Sequence, residues 1–222
     1  MIKNMREQSI ESLYTKRAAL YDFLFLRLLG YENGLKALFN QTDVIKKGIK
    51  ILDAGCGSGA VIKVLYQIGK NDDTDLQLYG FDKTEAMLKR CRKWMYHNNI
   101  FEVTIEQADV LHLDEFSKKH YDFDLIVCSA MLEYIPKKQM LHALQNLKKL
   151  LTSQGIFLMF ITKDNYFNRL FMHHCWKAEM YTKGDLATLL YSADFHDVTF
   201  KCFPFPYNYL NLWGHIVEAR IK

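Results

Sequence analysis

Short apolar runs alternate with stretches of helical periodicity between residues 49 and 161, and this alternation predicts a layered α/β fold. Five strands are predicted here, at residues 49–55, 76–82, 103–109, 123–129 and 155–161. The first, fourth and fifth are apolar nearly throughout, as expected for parallel strands covered on both faces. The third alternates more, which favours a place near the edge of the sheet.

The segments between these runs have the spacing of amphipathic helices. Residues 137–151 carry apolar side chains on one side and lysines on the other, so this helix is predicted to pack on the sheet. Its apolar stripe comprises Met140, Leu144, Leu147 and Leu151. Comparable stripes after the first and second strands comprise Val64, Leu65, Ile68, Met87, Cys91 and Met95. Residues 9–31 are predicted to form a further amphipathic helix that covers the strand ends.

The pattern changes after the fifth strand. An irregular aromatic stretch leads to a predicted helix at 183–192, where Thr182 and Asp185 have the spacing of a capping box. Two strands follow, at 196–203 and 213–221, and their connection is too short for a crossover helix. This predicts an antiparallel hairpin whose last strand lies at or near the sheet edge. The fold class is therefore α/β: a doubly wound, Rossmann-like, seven-stranded sheet, mostly parallel with an antiparallel last strand and helices on both faces.

The length of 222 residues and a composition that is 50% apolar and 24% charged fit one globular domain and exclude a disordered chain. We predict an N-terminal helical lid at 1–48 and a main domain at 49–222, with a substrate-facing aromatic insert at about 163–182. The five cysteines lack a Cys-x-x-Cys pair, which fits a reduced compartment. No apolar run approaches the roughly 20 residues of a membrane span and no signal peptide is recognisable, so a cytoplasmic location is predicted.

The net charge is +4, and the excess lies in the first 50 residues. This weakly basic segment is either a solvated helix face or a surface for an anionic substrate or membrane, so at most peripheral membrane contact is predicted. The charges do not form the basic stripe typical of nucleic-acid-binding proteins, and no nucleic-acid partner is expected.

The first predicted strand runs directly into a glycine-rich turn. Asp53 is followed by Gly55, Gly57 and Gly59, which permit a tight turn and the close approach of a ligand. A turn of this kind at the start of a helix presents backbone N–H groups to a cofactor. Asp82 ends the second strand, where its carboxylate can accept hydrogen bonds from both hydroxyls of a ribose. A nucleoside cofactor is therefore predicted.

Two classes of nucleoside cofactor fit this turn. Gly55, Gly57 and Ala60 satisfy the Gly-x-Gly-x-x-Gly/Ala pattern, so an NAD(P)-dependent oxidoreductase is one alternative. Asp53 favours a different cofactor, because it stands where a carboxylate can face a cationic group. Asp109 ends the third strand, where it can receive an adenine amino group. The antiparallel hairpin at the end of the chain also favours a cofactor other than NAD(P).

Four motifs, in order, resemble the class I S-adenosylmethionine-dependent methyltransferases, in particular the small-molecule and quinone-biosynthesis subgroup. They are LDAGCGSG at 52–59, GFDKTEAML at 80–88, QADVLHL at 107–113 and FDLIVCSAMLEYIP at 123–136. The resemblance covers about residues 14–221. It implies S-adenosyl-L-methionine (SAM) as the cofactor, S-adenosyl-L-homocysteine (SAH) as its product and a small-molecule or lipid-like substrate.

The resemblance also assigns parts of the cofactor to residues of this chain. The methionine part would lie against Ala54, Gly55, Cys56, Gly57 and Gly59. The adenine would be surrounded by Lys83, Met87, Ala108, Asp109 and Val110, and the active-site floor would comprise Ser129, Ala130 and Leu132. Asp82 would bind the ribose, while Asp53 would act on the methionyl amino group through a water or a neighbouring backbone group.

Near the N-terminus, Tyr14, Ala18, Tyr21 and Asp22 resemble the entry helix of quinone-biosynthesis and other small-molecule methyltransferases. In that subgroup the helix folds over the cofactor, so the resemblance places Tyr14 and Tyr21 at the cofactor site. Alternatively, the two tyrosines are simply apolar-face residues of an amphipathic helix, spaced at i and i+7.

The sequence assigns no metal ligand and leaves the catalytic base unknown. Glu133 follows the fourth strand and is a candidate, but it fits the solvated start of a helix equally well. His173 and His174 are less favoured, because adjacent residues on a helix or strand face different directions. The methylated atom and the oligomeric state stay open.

Two aromatic segments, at 166–176 and 203–209, either wall an apolar pocket or fill the core beneath a loop. A pocket would favour a small hydrophobic or aromatic acceptor. The fourth strand is not followed by the Asn/Asp-Pro-Pro-aromatic sequence of enzymes that methylate nucleobase amino groups, which disfavours a flipped base. A non-catalytic methyltransferase-like binding module is a further alternative.

Overall fold

The computed structural model describes residues 30–42, 44–166, 168–169 and 178–221, and its centre is a seven-stranded sheet. The strands are β1 Lys50–Ala54, β2 Gln77–Asp82, β3 Thr104–Gln107, β4 Phe123–Ser129, β5 Leu151–Thr162, β6 His196–Lys201 and β7 Gly214–Arg220. Their order is β3-β2-β1-β4-β5-β7-β6. Strands β1 to β5 pair in parallel, whereas β7 is antiparallel to both neighbours. The predicted fold class is confirmed.

Helices flank this sheet. The α-helices of the described segments are α1 Tyr31–Asn40, α2 Ala60–Asn71, α3 Glu85–His97, α4 Asp114–Ser117, α5 Lys137–Lys148 and α6 Lys183–Ser192. Two 3-10 helices lie at Leu132–Tyr134 and Tyr207–Leu212. Within the described ranges, no helix is long and apolar enough to cross a membrane.

The sheet separates two hydrophobic clusters, because successive side chains of a strand point to opposite faces. Ile51 and Leu52, adjacent on β1, belong to different clusters. The Ile51 cluster includes apolar residues of α1, α2 and α3, and the Leu52 cluster includes those of α5 and α6. Met140, Leu144 and Leu147 of α5 are fully buried, which confirms the predicted stripe.

The junction of α5 and β5 differs from the sequence prediction. The helix predicted at 137–151 ends at Lys148, and β5 begins at Leu151 rather than at 155. The reason is a register shift beside Phe123, which lets Leu151 pair with β4 before the regular ladder starts. Helix α1 was not predicted. The amphipathic helix predicted at 9–31 lies almost entirely outside the described residues.

The two edges of the sheet agree with the sequence pattern. β3, which alternates apolar and polar residues, forms one edge. β7 pairs antiparallel with β6, as the hairpin predicts, but it lies one strand in from the edge because β6 pairs on its outer side. The β6 pairing has a register shift between His196 and Thr199.

The carboxyl ends of the parallel strands meet at one edge of the sheet, which we call the carboxyl edge. Asp53 of β1 pairs with Val127 of β4, and Ser129 at the end of β4 pairs with Phe160 of β5. β7 starts at this edge, since Gly214 pairs with the last residue of β5. Residues from four strands are therefore brought together there.

The predicted capping box at α6 is present, and it gives a first testable prediction. The Asp185 amide donates to Thr182 Oγ1 at 3.2 Å, and the Thr182 amide donates to Asp185 Oδ2 at 2.9 Å. Thr182→Ala should lower the free energy of unfolding by about 1 kcal/mol in urea denaturation, because a helix-start amide loses its acceptor. Thr182→Ser keeps the oxygen and should unfold like the wild type. Equal losses in both variants would contradict a contribution from the cap.

Candidate active site

The glycine-rich turn joins β1 to α2 at the carboxyl edge. The amides of Gly55 and Cys56 both donate to the Phe81 carbonyl at 2.8 Å, and the Gly59 amide donates to the Cys56 carbonyl at 2.8 Å. Gly55, Gly57 and Gly59 have φ angles of 77°, 52° and 91°. These positive values are accessible to glycine but strained for residues with a Cβ.

Space around Gly57 is suited to a ligand. A Cβ added at Gly57 would have one neighbour within 4 Å, the Met87 methyl at 3.4 Å. Gly55 and Gly59 differ, because their added Cβ atoms would collide with Met131 and with Cys91 respectively. The turn thus packs against protein at its two ends and is open at its middle.

Asp82 lies beside this turn and orients it through a hydrogen bond. Its Oδ2 accepts from the Gly57 amide at 2.9 Å, and its Oδ1 accepts from the Thr84 amide at 2.7 Å. Burial raises the pKa of Asp82, and the Thr84 and Gly57 amides act against that rise. The carboxylate is thereby held in one orientation at the end of β2, and each oxygen keeps further capacity to accept hydrogen bonds.

Asp53 is a buried carboxyl group at the end of β1. It is 1% exposed, and neither carboxylate oxygen makes a hydrogen bond of ordinary geometry among the described residues. Its pKa is well above the usual range, first because of burial and then because of the nearby Asp82 charge, while the Ile62 amide acts the other way. A buried acceptor without a partner is costly, so this position fits a site completed by a ligand or a water.

Lys83 and Asp109 come together at the ends of β2 and β3. The Lys83 ammonium lies 3.0 Å from Asp109 Oδ2, and the Leu111 amide donates to Asp109 Oδ1 at 3.0 Å. Burial acts to raise the Asp109 pKa, but the Leu111 amide and Lys83 outweigh it and hold that pKa below its usual value. Asp109 is therefore a fixed anion after the end of β3.

Not every predicted site residue presents its side chain to this edge. The side chains of Ala54, Val110 and Leu132 lie in the core, so a ligand could meet only their backbone. Cys56 is buried, and burial raises the pKa of its thiol. Ser129 and Ala130 do lie at the edge, where β4 ends. Outside the described residues are Tyr14, Tyr21, His173 and His174.

A largely apolar cleft opens beside Ala130, between the ends of β4 and β5 and the start of β7. It encloses about 690 Å³, including its open part. Tyr31, Phe160 and Phe203 form an aromatic wall, with ring centroids 5.9 to 6.4 Å apart. The Tyr31 hydroxyl lies 2.7 Å from Ser129 Oγ, which ties α1 to the end of β4. The cleft has the mostly apolar and aromatic lining that is typical of small-molecule sites.

Glu133 is the acidic residue in the lining of this cleft. It is 2% exposed, and Thr162 Oγ1 donates to its Oε1 at 2.9 Å. Its Oε2 is buried and makes no hydrogen bond among the described residues. Burial raises its pKa to about 7, although the Glu133 amide and the Thr162 hydroxyl act to lower it. Of the two sequence readings, the solvated helix start is therefore wrong.

Several cleft residues were missed from the sequence. Thr162 ends β5 at the carboxyl edge, where ligands of doubly wound sheets bind, and that position was an available signal. Tyr31 and His215 reach the cleft through long-range packing and have no local signature. Phe203 belongs to an aromatic segment for which the sequence left two alternatives, a pocket wall or core filling, and it lines the cleft while also packing in the core.

Known proteins that are similar in sequence to this chain are methyltransferases. Residues 45–196 match the family described as methyltransferase domain. The ubiquinone biosynthesis O-methyltransferase of Haemophilus ducreyi is 28% identical over 116 residues, which cover 50% of this chain and 44% of that protein. The demethylmenaquinone methyltransferase of Lactobacillus johnsonii is 28% identical over 133 residues, 59% of this chain and 52% of that protein. The chain spans about half the length of these curated relatives.

Solved structures share the fold. Magnesium protoporphyrin IX methyltransferase from Synechocystis PCC 6803, solved with bound SAH, superposes with a TM-score of 0.65 at 16% identity, covering 87% of this chain and 83% of that one. Fold, motifs and family match together define a class I SAM-dependent methyltransferase domain. The chain belongs to the methyltransferase-domain family.

Family and topology decide between the two cofactor classes left open by the glycine-rich turn. Dinucleotide-binding sheets have the strand order 3-2-1-4-5-6. Here the antiparallel β7 is inserted between β5 and β6. The oxidoreductase alternative is therefore not supported, and SAM is the cofactor of the class to which the chain belongs.

The contribution of Asp82 to cofactor binding can be tested by substitution. Asp82→Ala should weaken SAH binding by about 1–3 kcal/mol in calorimetric titration, because polar ligand groups and the Gly57 amide lose their acceptor. Asp75→Ala is the matched control, since Asp75 is exposed and lies just before the opposite end of β2. An unchanged affinity in Asp82→Ala would show that this carboxylate does not face the ligand.

Proposed function

We propose that this chain transfers the methyl group of SAM to a small hydrophobic or aromatic acceptor bound in the cleft. The observation that carries the proposal is the junction of the cleft with the glycine-rich turn. Ala130 lines the cleft, and its neighbour Met131 packs directly against Gly55. An acceptor in the cleft is thus next to a cofactor on the turn.

The cofactor-side residues take the following proposed roles. The open middle of the turn at Gly57 accommodates the methionine part, and Asp53 acts on its amino group through a water or a neighbouring backbone group. Asp82 accepts hydrogen bonds from the ribose hydroxyls. Lys83 and Asp109 lie at the adenine. When bound, SAM supplies a methyl group already activated by its sulfonium.

The chain's own contribution to methyl transfer is alignment and exclusion of water. The cleft walls are apolar, and the end of β4 fixes Ser129 and Ala130 between the two binding regions. An in-line displacement needs the acceptor atom, the methyl carbon and the sulfur to lie on one line. A strand end between the two binding regions provides this alignment.

The N-terminal region is proposed as a cover, as the entry-helix resemblance implies. Supporting this, Tyr31 begins α1 and bonds Ser129, so the chain enters the described fold at the cleft. An alanine Cβ at Gly30 would lie 3.4 Å from the Tyr209 hydroxyl, close to the connection between β6 and β7. Residues 1–48, with Tyr14 and Tyr21, would then close the site from this side.

The relatives narrow the choice of acceptor to test first. One is named ubiquinone biosynthesis O-methyltransferase and another demethylmenaquinone methyltransferase, and each matches this chain over about half of its own length. The apolar, aromatic-walled cleft suits ring-containing acceptors of this chemical type. Quinols, phenols and small amines are therefore the first acceptors to screen.

Direct titration tests the cofactor. SAM and SAH should bind with micromolar affinity in calorimetry and NADH should not, because the class and the topology favour the adenosyl-sulfur ligand. Turnover is read as SAH formation with each acceptor. NADH binding would contradict the SAM assignment and favour the oxidoreductase alternative. SAH binding without turnover of any apolar ring acceptor would favour the non-catalytic binding module.

A variant of the cleft wall tests the acceptor region. Phe203→Leu should raise KM for the best acceptor of the screen by about 2- to 10-fold, because an aromatic contact of roughly 0.5–1.5 kcal/mol is lost. SAH affinity should not change. Phe195→Leu is the matched control: Phe195 is equally buried but stacks on Phe157 in the opposite cluster. The same KM increase in both variants would argue against the cleft as the acceptor site.

A further inference from the structure

Glu133 combines features that packing alone does not explain. This residue is almost fully buried and belongs to the lining of the cleft, and one oxygen of its carboxyl group, Oε2, has no hydrogen-bond partner in the described structure. Buried polar atoms in folded proteins are nearly always satisfied. An orphan acceptor in the wall of the cleft is therefore suited to a donor on a molecule bound there.

Four titratable side chains around Glu133 are neutral at neutral pH. Burial raises the pKa values of Tyr31 of α1, Cys128 of β4 and Tyr181 before α6. Burial first, and then the nearby Lys163 and Lys183, lower the pKa of His215 of β7 to about 4. The Glu179 amide donates to the Glu133 carbonyl at 2.7 Å. Burial is the largest influence on the Glu133 pKa, so this carboxyl group loses its proton near neutral pH rather than at the pH of an exposed glutamate.

We propose that Glu133 is a catalytic base that accepts the proton of a hydroxyl group on the methyl acceptor, and that the acceptor is therefore an apolar ring compound bearing a phenolic or enolic hydroxyl. This inference rests on the proposed function, since it places the acceptor in the same cleft. It adds the reacting atom, oxygen, and the residue that removes its proton.

The proton balance of the step is simple. The acceptor oxygen forms its bond to the methyl carbon as the carbon–sulfur bond breaks, and that bonding pair stays on sulfur. The hydroxyl proton moves to Glu133 Oε2. It then leaves to solvent through the open side of the cleft, which restores the carboxylate.

A hydroxyl acceptor needs such a base, whereas an amine does not. The nitrogen of a neutral amine already has an available lone pair, but a hydroxyl oxygen is a weak nucleophile until its proton is removed. A base works best when its pKa lies near the working pH. Glu133 meets this condition because burial raises its pKa to about 7. The Thr162 hydroxyl donates a hydrogen bond to the other oxygen, Oε1.

The first experiment measures Glu133 itself, without an acceptor. Infrared difference spectra of the SAH-saturated wild type against Glu133→Gln should show a protonated carboxyl band that disappears with a midpoint near pH 7. Thr162→Val removes the hydrogen bond that favours the carboxylate, so the midpoint should move to higher pH. A midpoint at the pH of an exposed glutamate would overturn the inference.

The second experiment uses phenol as the probe, with the protein saturated with SAH. Binding through the carboxylate should tighten by about tenfold from pH 6 to pH 8, because the competent, ionised fraction rises by that factor around a pKa of about 7. Glu133→Gln keeps the shape but does not titrate, so its phenol affinity should be independent of pH. Glu102→Gln, an exposed carboxylate at the other end of the sheet, is the matched control and should behave like the wild type.

The outcomes separate this inference from the proposed function. Failure of the wild type to bind SAH would overturn the proposed function. Normal SAH binding with pH-independent phenol binding, with no phenol binding, or with the same pH dependence in Glu133→Gln would overturn the role of Glu133 alone.

Discussion

Parallel strands cannot be joined by tight turns, so each connection from β1 to β5 crosses the sheet and returns the chain in the same direction. As a result, the carboxyl ends of these strands all lie at one edge. The glycine-rich turn, Asp82, the end of β4 and Thr162 meet there although they are far apart in the sequence. The binding chemistry at that edge depends on this shared direction.

The antiparallel β7 departs from that direction and thereby completes the cleft. Because it runs opposite to β5, its first residues rather than its last lie at the carboxyl edge. His215 and Ile216 reach the cleft in this way, and the preceding connection brings Phe203 and Leu210 to the wall. One half of the edge thus carries the glycine-rich turn and the other half the apolar cleft.

What the sequence predicts and what it misses follow from the range of the interactions. The glycine-rich turn, Asp53 and Asp82 stand next to strand ends, so a local pattern identifies them. Contacts such as Tyr31 with Ser129, 98 residues apart, leave no local pattern. The role of Glu133 was undecided for the same reason: its burial depends on β5, which packs against the short 3-10 helix that carries Glu133 and which is distant in the sequence.

The register shift in β6 has a consequence for how copies of the protein meet. An open sheet has two unpaired edges, and a long flat edge is a template for strand addition by another chain. β3 offers four residues at one edge. At the other, the shift between His196 and Thr199, with Asp197 at a φ of 47°, bends β6 away from regular pairing. Both edges of the sheet are therefore poor templates for the β-pairing between chains that begins aggregation.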